Sequence, residues 1–369
     1  MKSINLLIKP ASGSCNMRCS YCFYGDELNK RECSTRGMMS VETAENIIRR
    51  ALEYADGSCT FAFQGGEPML RGLPFFREFT DTVKRLAPER KNIQYAIQTN
   101  GLLIDGEWAD FLRENGFLVG LSLDGTAELH NLNRVDAQGK GTHSRTMKAA
   151  RLLESRGVPF NVLTVVNSRI AKSIASVYGF YRKNGLLYQQ YIPCLDPIFE
   201  ERGGNSYSLT PELFGDFLIR LFDLWYDDRI NDRFVYVHYF ESLAGQLLGR
   251  APKSCGMMGV CSSQNVIEAD GSVYPCDFYA LDEYLIGNVN TDSFDDMDVK
   301  RRPFLEDSLK GLEKCRACRY GYICHGGCRR DRQGVSSIGE NYLCAGYMKF
   351  FDHALPKLVQ LLRANGHRV

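Results

Sequence analysis

The chain has 369 residues, 44% of them hydrophobic, and its 45 Lys plus Arg against 44 Asp plus Glu leave a formal net charge of +1. That length and hydrophobic share suit one large domain with a smaller appendage, or two domains. The charge balance gives no case for a nucleic-acid or acidic-membrane partner, no apolar run reaches a bilayer span, and the first ten residues are too short and polar for a signal peptide, so a cytoplasmic protein is expected.

The first half alternates. Residues 4–9 read as a buried strand, and 41–55 as a helix with Ile47, Ile48, Ala51 and Leu52 on one face and Ser40 as N-cap. Strand and helix then follow in turn: strand 60–64, helix 75–86, strand 93–98, helix 107–114, strand 117–123, helix 145–155, strand 160–166, helix 171–183 and strand 188–192. About six β/α units in series imply a parallel sheet, open or curled into a barrel, with chemistry collected after the C-terminal ends of the strands. Thr210-Pro211 opens a helix to about residue 228, and a second helix spans 237–248. Residues 266–274 read as a hairpin with a type I′ turn at Asp270-Gly271. From Cys255 to Cys344 regular elements are few and cysteines dense, and 348–364 reads as a closing amphipathic helix. The expected division is therefore 1–235 and 236–369.

Cysteine is the outlier of the composition, at 14 against 6 His, with no His at finger-like spacing from a Cys pair. In a reducing compartment such clustering means metal more often than disulfide, and it favours all-thiolate sites: iron–sulfur clusters or Cys-only zinc. Cys15, Cys19 and Cys22 form C-x3-C-x2-C in the loop after the first strand. Three thiolates are one too few for a closed zinc site, but on a 4Fe–4S cube they leave one iron open. The segment Cys15-Asn16-Met17-Arg18-Cys19-Ser20-Tyr21-Cys22 resembles the signature of the radical S-adenosylmethionine (SAM) family, whose members chelate SAM on that open iron and cleave it to a 5′-deoxyadenosyl radical. The resemblance implies a partial (β/α)6 barrel. It also implies SAM contacts from Gly65, Gly66 and Glu67, from Ser122 and Arg134, and from Tyr21 and Leu195 near the adenine.

A second cysteine field resembles the SPASM extension of radical SAM peptide and protein modifiers: Cys261, Cys276, Cys315, Cys318, Cys324, Cys328 and Cys344, with Cys255 as an eighth thiolate. Eight thiolates fully ligate two further 4Fe–4S clusters. By resemblance, Cys255, Cys261, Cys276 and Cys328 hold the nearer one, and Cys315, Cys318, Cys324 and Cys344 the farther. A pair of four-thiolate zinc sites is the alternative from spacing alone. Cys33, Cys59 and Cys194 remain, with burial as the default for each.

Asp277, directly after Cys276, is the candidate base; a hairpin-end Asp that satisfies local backbone groups is the competing structural role. The run Ser272-Val273-Tyr274-Pro275-Cys276-Asp277-Phe278-Tyr279 resembles the anaerobic sulfatase-maturating enzymes. So do Phe61-Ala62-Phe63-Gln64-Gly65-Gly66-Glu67-Pro68, Gln98-Thr99-Asn100-Gly101, His130-Asn131-Leu132-Asn133-Arg134 and Leu224-Trp225-Tyr226. That family converts a Cys or Ser of a sulfatase, presented as an unfolded chain, into Cα-formylglycine. The resemblance implies Cβ hydrogen abstraction, proton transfer to Asp277 and electron transfer to an auxiliary cluster. It also implies Tyr24 and Gln64 on the substrate side and a ferredoxin- or flavodoxin-like electron donor. Loop 25–37, with Cys33, matches no family feature, and His238 and Tyr239 fall in a region expected to face substrate. The nearest rival is a SPASM enzyme that modifies another ribosomal peptide; with the radical motif starting at Cys15, no leader-gripping domain is expected ahead of it. A non-catalytic zinc protein and a ferredoxin are the rivals from other classes.

Overall fold

The computed structural model describes residues 1–87, 89, 92–262 and 264–368. Its strands are β1 (Ile4–Ile8), β2 (Cys59–Phe63), β3 (Ile93–Thr99), β4 (Phe117–Ser122), β5 (Phe160–Val166), β6 (Tyr188–Pro193), β7 (Tyr236–Val237), β8 (Val266–Ile267), β9 (Ser272–Tyr274) and β10 (Gly287–Asn288). Helices separate the first six strands, as expected of six β/α units in an α/β radical SAM core. The residues group into two compact units: 1–122, 131–160 and 263–304 in one, and 123–130, 161–262 and 305–369 in the other. These units are cut differently from a single division at 235/236, because the segment after 263 packs with the first strands.

In the first unit the strands run β10-β9-β8-β1-β2-β3-β4. β1 to β4 pair in parallel, and β1 also pairs in parallel with β8, Leu7 opposite Val266 and Ile8 opposite Ile267. β8, β9 and β10 continue the sheet as an antiparallel meander. Alternate residues of β2 face the core, which sets Phe61 and Phe63 against Phe76 and Phe79 at 4.9–5.2 Å between ring centroids. Ser40 caps Val41–Tyr54 as expected, accepting from the Thr43 amide at 3.0 Å.

The β8–β9 turn differs from expectation. Type I′ needs positive φ at both central residues, but of Asp270 and Gly271 only Gly271 has it, at +88°. The Gly271 amide donates to the Glu268 carbonyl at 2.9 Å and the Glu268 amide to the Ser272 carbonyl at 2.9 Å, a three-residue loop with the glycine at its left-handed position.

In the second unit β5, β6 and β7 pair in parallel. The expected helix 171–183 is two, Ser168–Lys172 and Ile174–Lys183. Asn167 caps the first by accepting from the amides of Arg169 and Ile170, and Ser173 leaves helical geometry between them. Helix Pro211–Ile230 crosses helix Cys344–Ala364 where Gly215 meets Gly346. A Cβ on Gly346 would stand 2.3 Å from the Pro211 carbonyl oxygen, so the crossing needs that glycine. Trp225, Phe222, Phe240 and Phe350 fill the core beside it.

Candidate active site

The cysteine loop leaves β1 and is held on two sides within the first unit. On one side Gly66 donates its amide to the Ser12 carbonyl at 2.9 Å, and Glu67 to the Ser14 carbonyl at 2.8 Å. On the other, the Arg18 amide donates to the Val135 carbonyl at 2.8 Å, the Ser20 amide to the Asn133 carbonyl at 3.2 Å, and the Ser20 hydroxyl to Asn133 Oδ1 at 2.7 Å. Residues 66 and 67, and residues 133 and 135 on either side of Arg134, thus both bind the loop that carries Cys15, Cys19 and Cys22. Gly65 has φ +116°, and a Cβ on Gly66 would stand 2.1 Å from the Ser14 carbonyl oxygen. Gly66→Ala is expected to cost roughly 1–3 kcal/mol or more through overpacking and to lower iron retention, read by anaerobic thermal unfolding and iron analysis; wild-type values of both would refute this account of the glycine.

Glu67 is buried beside the cysteine loop. Its buried carboxylate accepts from the Asn100 amide at 2.9 Å, Thr99 Oγ1 at 2.8 Å and the Met69 amide at 3.1 Å. Burial raises it to about 7, against the pull of those bonds. Asn100 then reaches Asn16 Oδ1 at 2.7 Å and Cys15 Sγ at 3.9 Å. Tyr21 and Arg134 are both buried, with the guanidinium over the ring at 5.5 Å from its centroid. Ser122 is buried at the end of β4. Leu195 follows β6 in the second unit and is half-buried.

Asp277 stands at the end of β9, where Cys276 leads into the short turn Asp277–Tyr279. Its Oδ2 accepts from Tyr24 Oη at 2.6 Å and from Gln64 Nε2 at 3.0 Å, and Gln64 also donates to Tyr24 Oη at 2.8 Å. Tyr24 and Gln64, expected on the substrate side, therefore hold this carboxylate. Asp277 Oδ1 makes no hydrogen bond, with Lys9 Nζ 3.6 Å away.

Sequence reasoning missed the charges behind Asp277. Lys9 Nζ lies 3.3 Å from Glu268 Oε1 and 3.9 Å from Glu27 Oε2. Arg31 pairs with the same two carboxylates, at 2.7 Å and 3.6 Å. All five are buried: two cations among three carboxylates. Glu27 accepts no hydrogen bond at either oxygen, and burial raises it to about 8 despite Lys9. Glu268 is held down to about 2, the pull of Lys9 and Arg31 outweighing its burial. Burial also raises Asp277, while Lys9 and Tyr24 oppose the rise. Burial thus pushes both Glu27 and Asp277 toward the neutral form, while Lys9 pulls both toward the charged one. A lysine ending an apolar strand was the available signal. Loop 25–37 supplies Glu27 and Arg31, and its Arg36 clamps the hairpin through Asp270 at 2.9 Å and Tyr274 and Asp282 at 3.1 Å each.

In the second unit Cys315, Cys318, Cys324 and Cys344 line one cavity of about 220 Å³. One water takes about 30 Å³, so the thiols surround room for a cluster. Among the described residues no three Cys, His, Asp or Glu side chains converge on a single ion. Cys255, Cys261 and Cys328 are mutual neighbours there: burial raises the Cys328 thiol, and the other two add to the rise. Cys276 belongs to the first unit. Cys33 is exposed, Cys59 buried and Cys194 half-buried. Tyr239, half-buried, contacts the rings of Phe240, Tyr347 and Phe350, and His238 lies beside Tyr236.

A sequence model of the radical SAM superfamily matches residues 10–170, and one of an iron–sulfur cluster-binding domain, SPASM, matches 255–319. The chain is 44% identical over 372 residues to a cysteine-type anaerobic sulfatase-maturating enzyme of Clostridium novyi, covering 100% of both chains. The chain belongs to the anaerobic sulfatase-maturating enzymes. A serine-type anaerobic sulfatase-maturating enzyme of Bacteroides thetaiotaomicron is 31% identical, over 96% of this chain and 90% of its own. The solved structure of native anSMEcpe with bound AdoMet and Cp18Cys peptide superposes with a TM-score of 0.94 at 42% identity, covering 99% of this chain and 100% of that one. The chain is thus a radical SAM enzyme with a SPASM extension, and its cofactors are SAM and 4Fe–4S clusters. No helix among the described residues is long and apolar enough to cross a membrane.

Proposed function

We propose that this sulfatase-maturating enzyme oxidises a cysteine of an unfolded sulfatase segment to Cα-formylglycine, with Asp277 as the base. The observation that carries the reading is the buried carboxylate of Asp277, oriented through Oδ2 by Tyr24 and Gln64, with Oδ1 making no hydrogen bond and facing Lys9 Nζ at 3.6 Å. SAM and the clusters, when bound, supply removal of a Cβ hydrogen atom and then of one electron. Cys15, Cys19 and Cys22 would hold the SAM-binding cluster, with Gly65, Gly66, Ser122, Arg134, Tyr21 and Leu195 around SAM. Glu67 would act by fixing the Asn100 segment beside Cys15. Cys255, Cys261, Cys276 and Cys328 would hold one auxiliary cluster, and Cys315, Cys318, Cys324 and Cys344 the other.

Asp277 Oδ1 takes the thiol proton as hydrogen atom and electron leave, and the balance of one hydrogen atom, one proton and one electron gives a thioaldehyde that water hydrolyses. Lys9, 3.6 Å from Oδ1, favours the charged carboxylate against the rise that burial imposes. Cysteine over serine is supported by the higher identity to cysteine-type relatives. We place the enzyme in the cytoplasm with a ferredoxin- or flavodoxin-like donor, supported by its reduced-cysteine chemistry.

The anaerobically reconstituted protein, given SAM, reductant and a peptide bearing Cys-x-Pro-x-Arg, is expected to yield formylglycine by mass together with 5′-deoxyadenosine. Deoxyadenosine without peptide conversion would end the sulfatase reading and leave the radical chemistry. Tyr24→Phe removes one of the two donors to Asp277 Oδ2. A charge-assisted bond of this kind is worth about 1.5–3 kcal/mol, so product formation should fall by about tenfold or more, measured as initial rate; an unchanged rate would remove Tyr24 from the account.

A further inference from the structure

Residues 30–37 form neither helix nor strand, yet two of them bind the chain on both sides of Asp277. Arg36 Nη1 donates to Asp270 Oδ2 at 2.9 Å, and its Nη2 donates to Tyr274 Oη and Asp282 Oδ1 at 3.1 Å each. Asp270 and Tyr274 precede Asp277 in the chain, and Asp282 follows it. Asp282 Oδ2 accepts from the Glu32 amide at 2.8 Å, and Asp270 Oδ1 from the Ser272 amide at 3.0 Å, so both oxygens of each carboxylate are engaged. The backbone of Arg36 binds a different segment. Its amide donates to Ser12 Oγ at 3.1 Å, three residues before Cys15. Ser12 is fully buried, and its carbonyl takes the Gly66 amide. Within the first unit, one residue thus joins the loop of the three cysteines to the segment that carries Asp277. Ion pairs open to solvent contribute little. Here the Arg36 side chain is only 19% exposed and Tyr274 is fully buried, so the bonds are sheltered, and the planar fork fixes three acceptors at once.

We propose that Arg36 is a positioning residue that holds Asp277 in register with the cysteine loop, so that proton uptake keeps pace with hydrogen-atom removal. The inference rests on the reading of Asp277 as the base. Hydrogen-atom removal depends on the cysteine loop and proton uptake on the segment after β9, so the two events share a substrate residue only while these segments keep their spacing. A misplacement of about 1 Å at a reacting group can cost about 10²-fold, and the residues that support such a group decide how tightly it is held. Tyr24 and Gln64 orient the carboxylate itself. Arg36 fixes the backbone from which it projects, by gripping that backbone before and after it.

The test uses the anaerobically reconstituted full chain with SAM, reductant and the Cys-x-Pro-x-Arg peptide. It reads iron content, the rate of 5′-deoxyadenosine formation and the ratio of deoxyadenosine to formylglycine. Arg36→Met removes the three side-chain bonds and leaves the backbone bond to Ser12. It should keep its iron and cleave SAM within about threefold of wild type, while the ratio rises about tenfold or more. Arg36→Lys keeps the charge without the fork, and its ratio should fall between those of wild type and Arg36→Met. Arg49→Met, which breaks an exposed helix pair with Glu45, should leave the ratio unchanged. A role in stability alone would lower the melting temperature of Arg36→Met and leave its ratio at the wild-type value, which would overturn the proposal. A rise of equal size in Arg49→Met would overturn it too. Should Arg36→Met lose iron, Asp282→Ala decides, because it frees only the segment after Asp277: a raised ratio with full iron supports the clamp, and a wild-type ratio or a loss of iron refutes it. Asp277→Asn runs beside them. A wild-type ratio there ends the reading of Asp277 as the base and this inference with it, whereas a raised ratio there beside a wild-type ratio in Arg36→Met ends the clamp alone.

Discussion

Asp277→Asn should lower formylglycine formation by about 10²–10⁴-fold, the usual contribution of a positioned base, while 5′-deoxyadenosine continues to form. The substitution is nearly isosteric, and the amide can still accept from Tyr24 and Gln64 through its oxygen. It removes only the capacity to take a proton. Hydrogen-atom abstraction does not pass through this group, so SAM cleavage should become uncoupled from product. The measurement is the ratio of deoxyadenosine to oxidised peptide in one reaction. A near-unit ratio at a near-normal rate would show that another group takes the proton, and Asp277 would revert to a hairpin-end residue satisfying local donors.

Lys9→Met should cost about 3–5 kcal/mol, the usual price of removing one partner from a buried ion pair. The methionine fills the volume but leaves Glu27, Glu268 and Asp277 facing Arg31 alone. The loss should depend on pH. In the wild type Glu27 is raised from its ordinary 4.5 to about 8. Between those values the folded chain holds a proton that the unfolded chain has released, so stability falls as pH rises through this window. Glu268, held down to about 2, acts oppositely: it contributes above its ordinary 4.5, and the contribution is lost as pH falls toward 2. Without Lys9 the remaining carboxylates bind protons more tightly in the folded state, which steepens the fall above pH 6. Thermal unfolding under argon at pH 6 and pH 8 should show the larger deficit at pH 8. Equal deficits would mean that Lys9 serves packing and not charge.

Most of the core could be read from sequence because its signals are local. The periodicity of 41–55, the cap at Ser40 and the cysteine spacings each concern residues close along the chain. The buried charges could not be read that way. Glu27 lies in helix Phe23–Asn29, whose Gly25 and short length hide it from any periodicity argument. Lys9 and Glu268 meet only because β1 pairs with β8, a register set across more than half the chain. The break at Ser173 was missed because the apolar residues on either side stay in helical phase. Tyr24 and Gln64 stand out in the sequence only as candidates on the substrate side, and the sequence could not say that their partner is the Asp277 carboxylate.

The pairing of β1 with β8 also bears on how the enzyme is made. Leu7 and Ile8 are synthesised some 260 residues before their partners Val266 and Ile267. Until then one edge of the first strand has open amides and carbonyls, and Lys9 is without the acidic groups that accompany it in the finished protein. Parallel pairing at such separation carries a large loop-closure cost and is slow. The nascent portion thus carries an unpaired strand edge for most of synthesis, and the Lys9–Glu268–Asp277 charge cluster comes together only when the last strands of the sheet arrive.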